Sequence, residues 1–306
     1  MIERARPDDL AALVKLVETK EYPGSRIAGI DARLRQQSDL NALTHHWDSL
    51  LANPQVAIWV ARKDQDVGAY CIVGLGGADF ASGQPETVVV EHAGQLALYP
   101  DLLESVKQSV EDDFLAIRLY PEQPTLREVL QSCGFAPEFS RVVRCTQGAR
   151  RPELPEGLTV RPAVAADRAF LAQLHIDCSS FYESSNRHNV GWGALSALDN
   201  YLSLDLAGDV LGWVAEYQGR PAGYVLLRRE FGLEMLPTMG AYLYDIAVSK
   251  PHWGRNLVVF VHEVAAVELG YKTIVGDISA HNSRALHVAM HKLQYRLEWE
   301  RWGLNL

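Results

Sequence analysis

The residue whose type and setting most invite chemistry is Asp245. It interrupts the apolar run Tyr-Leu-Tyr-Asp-Ile-Ala-Val over residues 242–248. A carboxylate in such a run is costly to bury unless it is paired or used. Its expected work is to take a proton from an attacking nucleophile. His281, after a later apolar strand, carries an imidazole, the side-chain type that most often serves the same task. Between them lies SKPHWGRNLVVF, residues 249–260, a short loop with one glycine that leads into an amphipathic helix. Strand, loop and helix start together present free backbone N–H groups, which suits an anion. Strict strand alternation places Tyr242, Tyr244 and Val248 on one face and Leu243, Asp245 and Ala247 on the other. Asp277 reads as a strand-end salt-bridge partner. His287 and His291 stand four apart on a helix, but no third ligand accompanies them, and a solvated face is the expected setting. The four cysteines (Cys71, Cys133, Cys145, Cys178) show no metal or disulfide spacing. No metal is expected.

The elements that must position these groups occur twice. Trp59-Val60-Ala61 and Tyr70 recur as Trp213-Val214-Ala215 and Tyr224, a constant offset of 154. Each half reads strand, helix, helix, three strands, helix, strand, helix and closing strands, which predicts a mixed sheet with helices on both faces. An internal duplication follows. Its expected parts are residues 1–145, an irregular linker over 146–157, and residues 158–306. The fold class is α/β, with two tandem domains of mixed, mostly antiparallel sheet.

The net charge of −9 argues against a global attraction to nucleic acid. The charge is uneven. Residues 249–306 carry seven Lys/Arg against five Asp/Glu, so this stretch is +2 and the rest of the chain holds −11. No apolar run is long enough to cross a membrane. The charged start MIERARPDDL does not read as a signal peptide, so a cytoplasmic setting is expected.

The element order resembles the GNAT superfamily of N-acyltransferases, and residues 240–296 carry the resemblance best. That family follows its central strand with Arg/Gln-x-x-Gly-x-Gly/Ala, whose amides bind the pyrophosphate of coenzyme A. The matching frame here is Trp253-Gly254-Arg255-Asn256-Leu257-Val258. Asn256 stands in place of a glycine, but Asn tolerates positive φ better than most residues. Val258 adds bulk where a small residue is usual, and Arg255 offers charge. Ile278, Asn282 and Ala285 match the family's V-x-x-x-N-x-x-A. The resemblance implies that Ile246, Ala247 and Val248 run beside the donor, one N–H facing its carbonyl, and that Asn282 holds the loop or the donor. The tyrosine that usually protonates the departing thiolate is absent; Met290 or Ala289 stands there. In this family the region equivalent to residues 181–193 often covers the acceptor. Here Tyr182 and Trp192 would form an aromatic wall and Glu183 would attract an ammonium group, with Tyr242 and Tyr244 beside them. The first half has YPDLLESV at its loop, with two acids and no glycine, and reads as a degenerate copy.

The resemblance implies acyl transfer from acyl-CoA, or from a phosphopantetheine arm on an acidic acyl carrier protein, to a small-molecule amine by direct attack. The carrier protein would suit the basic residues around Lys250, Arg255, Arg284 and Lys292. Transfer from aminoacyl-tRNA and a non-catalytic binding role are the alternatives.

Overall fold

The computed structural model describes residues 1–18, 40–78, 85–121, 123–178, 201–206, 208, 210–231 and 240–306. They form two compact units, residues 1–138 with 299–306, and residues 139–298. The first unit contains β1 (Ile2–Arg4), α1 (Leu10–Glu18), α2 (Leu40–Ala52), β2 (Val56–Lys63), β3 (Asp66–Ala78), β4 (Pro85–Gly94), α3 (Tyr99–Ser109), β5 (Phe114–Leu119) and α4 (Pro124–Ser132). The second opens within β6 (Ala136–Cys145). It continues through β7 (Leu158–Pro162), α5 (Arg168–Asp177), β8 (Val210–Tyr217), β9 (Arg220–Phe231), β10 (Gly240–Val248), α6 (Leu257–Leu269), β11 (Thr273–Ser279) and α7 (Ser283–His291). The last strand, β12 (Arg296–Asn305), closes the first unit from residue 299 onward.

In both units the strands are antiparallel neighbours except for one parallel pair, β4 with β5 and β10 with β11. The closing strands come from the opposite halves of the sequence. Ser140 of β6 pairs with Ile278 of β11, while Glu300 of β12 pairs with Leu119 of β5. These are equivalent registers, so each strand satisfies the ladder that its counterpart would have satisfied. The division at residues 146–157 expected from the sequence does not include this crossing.

The duplication is legible in the geometry. Between β3 and β4, Ile72 pairs with Glu91 and Val73 with Val89, leaving Val90 as an extra residue. Between β9 and β10, Leu226 pairs with Asp245 and Leu227 with Leu243, leaving Tyr244 extra. Every one of these positions is offset by 154. Trp47 meets Tyr70 edge to face at 5.2 Å, and Tyr201 meets Tyr224 likewise at 6.4 Å, again at that offset. One ion pair has reversed its signs. Arg62 Nε bonds Glu3 at 2.7 Å in the first unit, and Arg161 Nε bonds Glu216 at 2.8 Å in the second. In both, the arginine also holds the aspartate, Asp9 or Asp167, that closes the first turn before the helix.

In the second unit, α6 is apolar almost all round, LVVFVHEVAAVEL, and buries Leu257, Val261, Val264, Ala265 and Ala266 against the sheet. Each such Leu or Val contributes about 1.5–3 kcal/mol by leaving water. The opposite face packs on α5 through Leu171, Leu174, Tyr201, Tyr224 and Leu226.

Candidate active site

Strand β10 is bent by its extra residue. A bulge at Tyr244 separates the pairs Leu243–Leu227 and Asp245–Leu226, which resets the alternation. Leu243, Ile246 and Val248 therefore pack toward α6, while Tyr244 and Ala247 pack toward α5. The strict alternation expected from sequence, with Tyr244 opposite Asp245 and Val248 beside Tyr244, is corrected by this one inserted residue.

The bulge coincides with the parting of two strands. The parallel ladder between β10 and β11 runs over Ala241–Leu243 and Ile274–Gly276, then stops. Both strands continue, to Val248 and Ser279. On its other edge β10 remains paired with β9, and Ser249 N–H donates to Ala222 O. Antiparallel alternation then turns the Ala247 N–H toward β9, and those of Ile246 and Val248 toward the parting. The Ile246 N–H donates to its neighbour Asp245 Oδ1 at 2.7 Å.

A cavity of about 400 Å³ occupies the parting. Its walls include Leu257, Val258, Ala285 and Val288 from the α6 and α7 side, and Cys178, Asp245 and Asp277. Since Ile274 and Ile278 pack toward α6, Asp277 and Ser279 alternate to the opposite face. The cavity thus has walls from both faces of the sheet.

At its mouth, Ser249 leads through a short 3-10 turn, Lys250–His252, to Trp253. Gly254 and Asn256 both lie in the left-handed region, at φ +85° and +58°. Asn256 therefore does what the sequence requires of it in place of a glycine. Val259 and Phe260 N–H donate to Asn256 O, leaving those of Leu257 and Val258 at the open start of α6. Trp253 is fixed by its indole N–H on Val248 O at 2.8 Å. The Arg284 guanidinium stacks over that indole at 4.9 Å, and Lys292 donates to Asn256 Oδ1 at 2.5 Å. Both cations line the cavity. Arg255, expected to charge the loop, instead lies on the Tyr217 ring at 4.7 Å and donates to its hydroxyl at 3.0 Å. The positive charge facing the cradle comes from α7. Asn282 caps α7, accepting from Ala285 N–H at 2.9 Å, and it too lines the cavity.

Asp245 is buried, and its carboxylate accepts from several donors. Tyr201 and Tyr224 hydroxyls and His175 Nδ1 converge on Oδ2, the last at 3.0 Å. His175 stacks on Tyr201 at 4.5 Å. These partners were missed in the sequence. Tyr224 stood out only as a repeat of Tyr70, and His175 reads as one polar residue on the inner face of α5. Beside them, burial and then the Asp245 charge push the Cys178 thiol up to about 11. The same two causes raise the Tyr244 phenol. Tyr242 lies apart from the cavity walls. Its hydroxyl donates to Asp277 at 3.0 Å, while Arg141 grips the same carboxylate with two nitrogens at 2.5 and 2.7 Å. Burial, then the Asp277 charge, raises its pKa well above the usual value. His281 is exposed and is not among the walls. His287 and His291 are exposed with rings 4.6 Å apart, and no metal-binding group occurs among the described residues. Tyr182, Glu183 and Trp192 lie outside the described residues.

The corresponding parting in the first unit is filled. The β4–β5 ladder covers Thr87–Val89 and Leu115–Ile117. Just beyond it, His92 donates from Nε2 to Arg118 O at 2.8 Å and accepts at Nδ1 from the Tyr99 hydroxyl at 2.9 Å. His92 and Tyr99 are 2% and 1% exposed, which closes the gap. Burial holds the His92 pKa down to about 4, so the ring is neutral.

A parted parallel strand pair, a bulge and a helix start with two left-handed residues together frame this one cavity. Residues 172–293 match the model of the acetyltransferase (GNAT) family. Members of that family move acyl groups from acyl-CoA to amines. The whole chain resembles a GCN5-related N-acetyltransferase from Sphaerobacter thermophilus, with a TM-score of 0.50 and 13% identity over 99% of this chain and 95% of that one. A tandem GNAT protein from the clavulanic acid biosynthesis pathway matches at TM-score 0.43 and 14% identity, covering 99% and 98%. A GCN5-related N-acetyltransferase from Kribbella flavida matches at 0.46 and 16%, covering 79% and 88%. No curated protein sequence matches the chain. Among the described residues, no helix is long and apolar enough to cross a membrane.

Proposed function

We propose that the protein transfers an acyl group from coenzyme A to an amine of a small molecule, in the second unit, by direct attack. The observation that carries this reading is the cavity at the β10–β11 parting, with walls from both faces of the sheet and a helix start at its mouth. The donor's pantetheine arm lies between the strands, and its pyrophosphate meets the Leu257 and Val258 amides with Arg284 and Lys292 beside them. The Val248 N–H faces the acyl carbonyl as it becomes an oxyanion. The amine approaches from the α5 face, and holding the two together supplies most of the acceleration.

We assign Asp245 a positioning role. Four donors wrap its carboxylate, which suits a fixed negative charge better than a proton shuttle. By holding the Ile246 N–H and three side chains, it fixes the bulge that opens the strands. Tyr244, on the cavity wall, faces the acceptor, and Glu183, Tyr182 and Trp192 remain its proposed cover. A carrier-protein donor is the second reading, favoured by the exposed cations Lys250, Arg284 and Lys292 around the mouth.

The test is release of free thiol from acetyl-CoA, and from an acylated carrier protein, across a panel of primary amines. Amine-dependent release from acetyl-CoA supports the main reading, and release from the carrier alone supports the second. No release from either donor, with no thermal shift at millimolar acetyl-CoA, would overturn both.

A further inference from the structure

The cavity holds one hydroxyl that the fold itself does not use. Ser279 Oγ is buried and has no hydrogen-bond partner, yet Ser279 is one of the cavity walls. A buried hydroxyl without a partner is costly unless something else satisfies it. Its position is telling. The ladder ends at the Leu243–Gly276 pair, and three residues further along each strand stand Ile246 and Ser279. Because Tyr244 is an extra residue in β10, Ser279 comes level with about Ala247, next to the Val248 N–H where the donor carbonyl is proposed to lie. The other wall hydroxyls are placed differently. Tyr295 Oη is bonded to His262 Nε2 at 2.7 Å, and the Tyr244 phenol stands on the bulge next to Asp245, whose charge, after burial, holds its proton more tightly.

We propose that Ser279 Oγ contacts the reacting thioester and relays a proton from the amine to the departing sulfur, the role left open by the missing tyrosine. This rests on the acyl-transfer reading above. The step balances without another reagent. The C–N bond forms, and the C–S bond breaks with its electron pair left on sulfur. The Ser279 hydroxyl proton passes to that sulfur, and the proton shed by nitrogen restores the hydroxyl. A relay of this kind needs no ionised serine, because oxygen gives one proton as it receives another.

The test compares wild type, Ser279→Ala and Ser279→Thr with acetyl-CoA and with an acetyl thioester of a more acidic thiol. In Ser279→Ala, kcat falls by about tenfold or more, while the KM for acetyl-CoA and thermal stability hold. Removing an unsatisfied buried hydroxyl takes no hydrogen bond from the fold. Ser279→Thr keeps the hydroxyl and recovers turnover. The more acidic leaving thiol narrows the gap between Ser279→Ala and wild type, since its thiolate departs without a proton. An active wild type with an equally active Ser279→Ala overturns the relay alone. A kcat deficit that the acidic thiol does not narrow also overturns it. An inactive wild type overturns the acyl-transfer reading instead.

Discussion

Replacing Asp245 by asparagine keeps the shape of the side chain and removes its charge, and the cost can be worked out from the donors around it. Tyr201, Tyr224 and His175 converge on Oδ2 and the Ile246 N–H on Oδ1. Hydrogen bonds to a charged acceptor contribute about 1.5–3 kcal/mol each and neutral ones about 0.5–1.5 kcal/mol. Four bonds weakened by about 1 kcal/mol each come to about 4 kcal/mol. The new NH2 also faces a donor, leaving one buried group unsatisfied at about 1–3 kcal/mol. Against this, no carboxylate has to be desolvated, which offsets a few kcal/mol. The net expectation is a loss of about 2–4 kcal/mol, or roughly 5–15 °C in the unfolding of the second unit. Urea titration and calorimetry of the full chain at pH 7.5 measure it. A loss below about 0.5 kcal/mol would mean that this network does not brace the bulge. Turnover intact in the same variant would remove Asp245 from the catalytic account altogether.

Cys178 lies on the cavity wall, but its thiol is pushed up to about 11 and is not a nucleophile at neutral pH. Cys178→Ala should keep turnover near wild type, and intact mass after incubation with acetyl-CoA should show no acyl-enzyme. His92 has a folded pKa of about 4, below the 6.5 of an unfolded histidine, because burial disfavours its charge. Its contribution is fully present above pH 6.5 and is lost as pH falls from there toward 4. The expected slope is about 1.4 kcal/mol per pH unit. His92→Gln should flatten that slope in the first unit by about one proton.

Much of this architecture can be read in the chain before folding is considered. The Trp-Val-Ala…Tyr pair at offset 154 announces two halves, and the structure repeats its bulges and aromatic contacts at that spacing. The strand, loop and helix at 240–260 were legible from an apolar run, one glycine and an apolar helix. Asn256 was legible too, because few other residues accept its φ of +58°. The bulge was not, since Tyr244 looks like any other strand residue and the alternation hides the insertion. The partners of Asp245 were not either, because His175 and Tyr201 lie 70 and 44 residues away and meet it only after packing. The crossing of β6 and β12 is a choice between two equivalent ladders, which no local pattern can make. The same limit hides the filled gap of the first unit. Two acids and no glycine at the YPDLLESV loop mark a degenerate copy, but His92 and Tyr99 meet only across the parting of β4 and β5.

Of the two partings, the one between β10 and β11 is the one proposed to hold the donor. Titration calorimetry of the full chain with coenzyme A tests it directly. The expected result is one site per chain, weakened in Arg284→Ala and Lys292→Ala and unchanged in His92→Gln. Two sites per chain, or one that survives both cation replacements and is lost in the His92 variant, would contradict it.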